Sequence, residues 1–152
     1  MQSEYVSAEV ALERLKSGNE KYRNAKSCCG DASPEIRTLT SKNGQKPYAV
    51  IIACSDSRVI PEFIFSAGIG DLFVIRVAGN VIDNHQLGSI EYAVEHLGCR
   101  LVVVLGHTLC GAVGASLTPN VGYVKFITDE IRNAIGMERD GVKASILNVK
   151  QS

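Results

Sequence analysis

Three short apolar runs, separated by segments of helical periodicity, constrain the fold of this chain more than any other feature. The runs cover residues 48–53, 72–75 and 101–105, which is the length expected of buried strands. Strands that alternate with helices favour a parallel sheet with right-handed crossovers. The sequence therefore predicts an α/β fold with a central, mostly parallel β-sheet flanked by helices.

The helical segments are indicated by apolar residues at intervals of three or four positions and by typical start and stop residues, such as Ser7 before the first of them. We predict helices over residues 7–25, 61–67, 84–97, 111–117 and 122–135. Residues 27–46 are polar and contain glycine and proline, which predicts a loop with one short helical turn at 34–39. Residues 140–152 have the length of one further helix, and no additional apolar run follows them.

Length and composition indicate one globular domain. The chain has 152 residues, of which 45% are hydrophobic and 21% are charged, as is usual for such a domain. Within it we expect an N-terminal helical arm at residues 1–26 and an α/β core at 47–152. Lys+Arg and Asp+Glu are equal at 16 each, so the charge balance favours no nucleic-acid partner.

The sequence also predicts a cytoplasmic protein. No apolar stretch is long enough to cross a membrane, and the first residues lack the basic and apolar regions of a signal peptide. Five cysteines are present, and in a reducing compartment they are expected to be thiols or metal ligands. Cys28 and Cys29 are interpreted as incidental loop thiols, and Cys99 as a small apolar residue of the core.

Two short segments that follow predicted strands carry most of the chemistry. Cys-Ser-Asp-Ser-Arg stands at 54–58, and His-Thr-Leu-Cys-Gly stands at 107–111. If the strands are parallel neighbours, both segments open at the same edge of the sheet. Two thiols and one imidazole would then meet in a ligand set that suits Zn²⁺. Three protein ligands leave a position for water, which loses its proton near neutral pH and becomes a nucleophile.

Asp56 and Arg58 lie two residues apart, directly after Cys54. An arginine can hold a carboxylate through two parallel hydrogen bonds. Two roles stay open for Asp56: it binds zinc as a fourth ligand and closes the site, or it pairs with Arg58 and accepts a hydrogen bond from zinc-bound hydroxide. In isolation the pair would be a solvated ion pair of little energetic weight.

Four motifs in the same order resemble the β-class carbonic anhydrases. They are C-S-D-S-R-V-x-P-E from residue 54, G-D-L-F-V-I-R-V-A-G-N from 70, L-G-S-I-E-Y-A-V from 87 and V-V-V-L-G-H-T-x-C-G-A-V from 102. The resemblance runs from about residue 12 to about residue 117. It implies reversible hydration of CO₂ to bicarbonate and a proton by a zinc-bound hydroxide, with the metal held by Cys54, His107 and Cys110 and with Asp56 and Arg58 as a catalytic pair.

The resemblance also implies a substrate side and an assembly. By position, Gln45, Phe73, Tyr92 and Gly111 match family residues near the substrate. The family forms homodimers or higher homo-oligomers, with the N-terminal helix lying on the neighbouring subunit. Its members continue into a last strand beyond the point where this sequence ends, so we expect that C-terminal strand to be absent here.

Other functions stay open at this point. A hydrolase acting on COS or CS₂ would use the same scaffold and the same ligands. A C-terminally shortened homologue could bind zinc or bicarbonate, or pair with a full-length subunit, without catalysis. A nucleotide-binding α/β domain is less favoured, because no glycine-rich phosphate loop follows the first strand. Neither His85 nor His96 is assigned as a proton shuttle.

Overall fold

The structure is a computed structural model that describes residues 5–24, 29–137, 140 and 143. Its helices are α1 (Ala8–Arg23), α2 (Pro34–Asn43), α3 (Pro61–Ile64), α4 (Asn84–Glu95), α5 (Gly111–Ser116) and α6 (Val124–Ile135). Its strands are β1 (Ala49–Ala53), β2 (Leu72–Arg76) and β3 (Val102–Leu105). A 3₁₀ turn covers Ala78–Asn80. The predicted strands and helices are confirmed, with shorter ends in most cases. Cys28 and most of residues 140–152 lie outside the described residues.

The three strands form one parallel sheet in the order β2-β1-β3. Between β1 and β2, the Tyr48 N–H donates to the Asp71 carbonyl at 2.9 Å and the Val77 N–H donates to the Ala53 carbonyl at 3.2 Å. The bonded positions advance in the same direction along both strands, which is the pattern of parallel pairing. Every residue of the central strand β1 is buried, as expected where helices cover both faces. The predicted α/β class is therefore confirmed.

The chain divides into two compact units. The first comprises Met1–Ile51, Ile60–Ile75 and Gln86–Val103; the second comprises Ile52–Val59, Arg76–His85 and Val104–Ser152. Each strand thus begins in the first unit and has its last one or two residues in the second. The loops that follow the carboxyl ends of β1 and β3 belong to the second unit.

In the first unit, α1 packs on α3 through a glycine. The Asn19 side-chain amide donates to the Ile64 carbonyl at 3.1 Å, and the Ser66 hydroxyl donates to the Gly18 carbonyl at 2.9 Å. A Cβ atom on Gly18 would lie 1.7 Å from the Phe65 carbonyl oxygen. The close approach of the two backbones therefore requires glycine at this position.

The prediction for residues 27–46 is wrong in one respect, because the short turn expected at 34–39 is the ten-residue helix α2. The Ser33 hydroxyl caps the helix by accepting from the Ile36 N–H at 3.3 Å. Pro34 occupies the first turn, where its missing N–H leaves no bond unmade. Gly44 ends the helix at φ 76°. The residues interpreted as helix breakers are in fact its start and stop signals.

The second unit has its own apolar core around the two helices that follow β3. The buried residues of this core are Cys54, Cys110, Val113, Ile131 and Ile135. Cys54 and Cys110 therefore sit among packed aliphatic side chains of α5 and α6. Within the part of the chain that the structure describes, no helix combines the length and the apolar character needed to cross a membrane.

Gly18→Ala is expected to destabilise the fold by about 1–3 kcal/mol, since the added methyl meets backbone atoms that cannot move independently. Gly88→Ala is the matched control, because Gly88 is also helical and a Cβ there would meet nothing within 4 Å. That control should gain about 0.5–1 kcal/mol from helix propensity. Urea unfolding of both variants checks the pair, and equal changes would contradict the packing described here.

Candidate metal centre

Three side chains of the second unit meet at the carboxyl edge of the sheet. One ligand atom each from Cys54, His107 and Cys110 lies within 4.8 Å of the other two, and the two Sγ atoms are 3.9 Å apart. Cys54 directly follows β1, whereas His107 and Cys110 lie in the loop after β3. The predicted meeting of these residues therefore occurs where neighbouring parallel strands end.

The donor set fits a metal ion. The His107 Nε2 atom is buried and has no hydrogen-bond partner among the described residues. The other ring nitrogen, Nδ1, lies 3.0 Å from the Thr108 carbonyl oxygen. When Nδ1 donates its proton to a carbonyl, Nε2 presents its lone pair, which is how metal-binding imidazoles are commonly oriented. A buried nitrogen lone pair beside two sulfurs is suited to a divalent ion of intermediate softness.

Burial raises the pKa of the Cys110 thiol, and the negative charge that Cys54 can carry raises it further. In metal-free protein at neutral pH the Cys110 sulfur therefore keeps its proton. A metal ion must displace that proton, because the thiolate is the form that ligates. The free energy of metal binding in this site is consequently linked to pH.

Asp56 is held by Arg58 through three hydrogen bonds. The Arg58 side chain donates from Nε to Oδ1 at 2.9 Å and from Nη2 to Oδ2 at 2.7 Å, and its backbone N–H donates to Oδ1 at 2.9 Å. These bonds hold the pKa of the Asp56 carboxyl well below its usual range, so the carboxylate stays ionised at neutral pH. Of the two arrangements open from the sequence, the structure shows Asp56 paired with Arg58.

The paired carboxylate also faces the ligand cluster. Asp56 Oδ2 lies 4.0 Å from His107 Nε2. Arg58 Nη2 donates a further bond to the Leu109 carbonyl at 3.0 Å, which links the two loops. Leu109 has φ 55°, a conformation that a branched side chain adopts at an energetic cost. The Arg58 bond is one of the interactions that hold it there.

The remaining predicted residues divide between the two units. Gly111 belongs to the second unit, follows Cys110 directly and begins α5. Gln45, Phe73 and Tyr92 belong to the first unit. The rings of Phe73 and Tyr92 have centroids 6.2 Å apart, and Gln45 lines a small cavity of about 240 Å³ together with His96.

Two residues that contact the cluster had no role in the sequence prediction. The Gly79 N–H donates to Cys54 Sγ at 3.2 Å, and Arg76 donates to backbone carbonyls of the Cys54 loop. Both lie in the motif that begins at residue 70. A glycine and an arginine just after a predicted strand were the available signal, but the pattern does not indicate which atoms they bind.

Comparisons with known proteins match the chain to a family. The family model described as carbonic anhydrase matches residues 49–151. The chain is 45% identical over 140 residues to carbonic anhydrase 2 of Mycobacterium tuberculosis, an alignment that covers 88% of this chain and 67% of the relative. The chain therefore spans about two thirds of the length of that curated relative.

Solved structures with a similar fold are β-carbonic anhydrases. A β-carbonic anhydrase of the fungal pathogen Aspergillus fumigatus superimposes with a TM-score of 0.68 at 28% identity, over 94% of this chain and 70% of that one. One of two tetrameric β-carbonic anhydrases of Sordaria macrospora has a TM-score of 0.66 at 23% identity, over 94% of this chain and 74% of that one. The second similarity concerns the fold alone.

Metal binding to the apoprotein is expected to release protons and to strengthen as pH rises. Because the pKa of the Cys110 thiol is raised, zinc must displace a proton from it at neutral pH. For each proton displaced, the affinity should rise about tenfold per pH unit until the pH reaches the pKa of the thiol. Calorimetric titration with Zn²⁺ in buffers of different ionisation enthalpy measures the released protons. Cys29→Ser, which alters an exposed thiol, should leave the result unchanged, and a pH-independent affinity would contradict the prediction.

Proposed function

This chain belongs to the carbonic anhydrase family, whose solved members similar to it are β-class enzymes, and on this premise we propose that it hydrates CO₂ reversibly to bicarbonate and a proton. The proposal includes one Zn²⁺ ion held by Cys54, His107 and Cys110. The observation that supports it most is the buried, unpartnered His107 Nε2 beside the two thiols. Two sulfurs and one imidazole nitrogen form a known catalytic ligand set for zinc, with one position left for water.

Bound zinc would supply a water molecule acidic enough to lose its proton near neutral pH. The chain's own contribution begins with the three ligands, of which the two thiolates would balance the 2+ charge of the ion and the neutral imidazole would complete the set. His107 would bind through Nε2 while the Thr108 carbonyl fixes its ring, since the Nδ1 proton points at that oxygen. The buried aliphatic surroundings of Cys54 and Cys110 exclude water from the sulfurs and strengthen the electrostatic interactions there.

Asp56 would orient the attacking water. Its carboxylate is ionised at neutral pH because Arg58 binds both oxygens, and an ionised carboxylate can only accept hydrogen bonds. A water that donated a hydrogen bond to Oδ2 would keep its lone pairs free on the side away from Asp56, where they could attack CO₂. Arg58 would therefore serve two purposes, keeping Asp56 charged and keeping its carboxylate oxygens paired instead of bound to the metal.

The substrate side of the proposal depends on the resemblance. Gln45, Phe73, Tyr92 and Gly111 are proposed to lie near CO₂ or bicarbonate because they match family positions there. Open space around the Gly111 Cα, where a Cβ would meet nothing within 4 Å, is compatible with a close approach by a small molecule. The aromatic contact between Phe73 and Tyr92 is equally what packing alone would produce.

We further propose a homo-oligomer in the reducing cytoplasm. An assembly would cover apolar side chains on α6 and just before it: Tyr123 is 90% exposed and Phe126 is 72% exposed, with stacked rings 6.5 Å apart. The Sordaria macrospora relatives are tetrameric. A reducing compartment suits Cys54 and Cys110, since an oxidised pair could not ligate a metal.

Cys54→Ala is expected to lose zinc and to lower kcat for CO₂ hydration by roughly a thousandfold, since a metal contributes several kcal/mol to the transition state. Stopped-flow hydration assays and elemental analysis measure the two effects. Cys99→Ala is the matched control: this thiol is also buried but donates to the Pro47 carbonyl at 3.2 Å. It should keep both metal and activity. Wild-type protein with stoichiometric zinc and no turnover would identify a non-catalytic homologue.

Arg58→Met is expected to lower kcat by about 10- to 100-fold, the usual effect of removing a group that orients the metal site, while zinc stays stoichiometric. The released Asp56 carboxylate can turn toward the metal or lose the orientation that directs the water. Arg37→Met, an exposed change on α2, is the control. Unchanged kcat in the Arg58 variant would exclude the proposed role of the pair.

A further inference from the structure

Arg76 is the last residue of β2, and the proposed reaction gives it no task. Its Nε donates to the Cys54 carbonyl at 3.0 Å, and its Nη2 donates to the Asp56 carbonyl at 2.7 Å. The guanidinium is planar and rigid, so the two carbonyls are held at a fixed separation by one group. Arg76 therefore bonds to the backbone of both residues whose side chains face the ligand cluster from this loop.

The loop needs such support because β1 ends at Ala53. Beyond it, the Ser55 N–H donates to the Val77 carbonyl at 3.3 Å and the Val59 N–H donates to the Asp56 carbonyl at 3.0 Å. The Cys54 carbonyl accepts from Arg76. A change in the peptide plane at Cys54 would rotate its Cβ and move the sulfur, and the same holds for the Asp56 carboxylate.

A second contact from the same segment acts on the sulfur itself. The Gly79 N–H donates to Cys54 Sγ at 3.2 Å. Gly79 has φ 69°, and a Cβ there would lie 2.5 Å from Ile131 Cδ1, so the turn requires glycine on two counts. Residues 76–80 thus hold Cys54 at both its carbonyl and its sulfur.

We propose that Arg76 is a positioning residue of the metal centre: through the Cys54 and Asp56 carbonyls it holds the Cys54 sulfur and the Asp56 carboxylate toward one shared point. The inference rests on the zinc site proposed above. It assigns a metal-directed role to an arginine that touches none of the three ligand atoms and none of the reacting groups.

Arg132 provides the comparison that separates this role from general stabilisation. It lies in the same unit, and it also donates to two backbone carbonyls, those of Ser116 and Thr118, at 3.1 Å each. Those carbonyls lie at the end of α5 opposite to Cys110. Removal of either arginine costs two backbone hydrogen bonds, and removal of Arg132 also costs its ion pair with Asp129, but only removal of Arg76 frees the Cys54 loop.

The experiment compares wild type, Arg76→Met and Arg132→Met as zinc-loaded proteins. Zinc dissociation constants come from competition with a chromogenic chelator, and urea unfolding reports stability. We expect Arg76→Met to raise the dissociation constant by about 10- to 100-fold, as for other groups that orient metal ligands. Arg132→Met, which also loses the Asp129 ion pair, should lower stability at least as much and leave the dissociation constant unchanged. The thiolate-to-metal band of Co²⁺-substituted protein should shift only in Arg76→Met.

Arg76→Lys keeps the positive charge and one carbonyl bond, so its dissociation constant should fall between those of wild type and Arg76→Met. If Arg76→Met does not fold, the test relies on Arg76→Lys. A zinc dissociation constant of Arg76→Lys equal to that of wild type would then overturn the proposal. Equal weakening by Arg132→Met also overturns it. If the wild-type protein binds no zinc, both the proposed function and this inference are rejected. If the wild type binds zinc and Arg76→Met binds it with the same dissociation constant, only this inference is rejected.

Discussion

Parallel pairing of the three strands is the constraint on which the site depends. Because β1 and β3 are neighbours that run in the same direction, the residues after both strands open at one edge. Cys54 follows one strand, and His107 and Cys110 follow the other, so residues more than fifty positions apart share one centre. An antiparallel arrangement would place these loops at opposite edges and leave two buried thiols and a buried imidazole nitrogen without a common partner.

Electrostatics at this edge are arranged in two layers. The inner layer contains the three ligand atoms: the two sulfurs are buried against aliphatic side chains of α5 and α6, and the His107 Nε2 atom is buried beside them. The outer layer contains two arginines with different targets: Arg58 binds the Asp56 carboxylate, and Arg76 binds backbone carbonyls of the same loop. Side-chain orientation and backbone position are thereby held by separate groups, so a loss in one need not reproduce a loss in the other.

The fold could be predicted where periodicity was strong and failed where single residues had two meanings. The apolar runs and the amphipathic segment at α6 were recognised because their spacing is unambiguous. Pro34 and Gly44 were taken for loop residues, although Pro at a first turn and Gly after a last turn delimit a helix. The 3₁₀ turn at Ala78–Asn80 was not predicted, because its left-handed Gly79 donates to Cys54 and has no room for a Cβ beside Ile131, and both residues are distant in the sequence.

By itself the sequence determined the class of fold, the kinds of metal ligand and their order along the chain, since alternating strands and helices and the residue types at strand ends are local properties. Only the tertiary structure decided that Asp56 pairs with Arg58, that the His107 nitrogen is buried without a partner, and that Arg76 and Gly79 hold the Cys54 loop. The Asp56–Arg58 pair forms within one loop, whereas the bonds from Arg76 and Gly79 to Cys54 are contacts of about 3 Å between segments that strand pairing brings together. A shift of one residue in the register of β1 and β2 would alter the contacts of Arg76 and Gly79 with Cys54, and no residue type alone specifies that register.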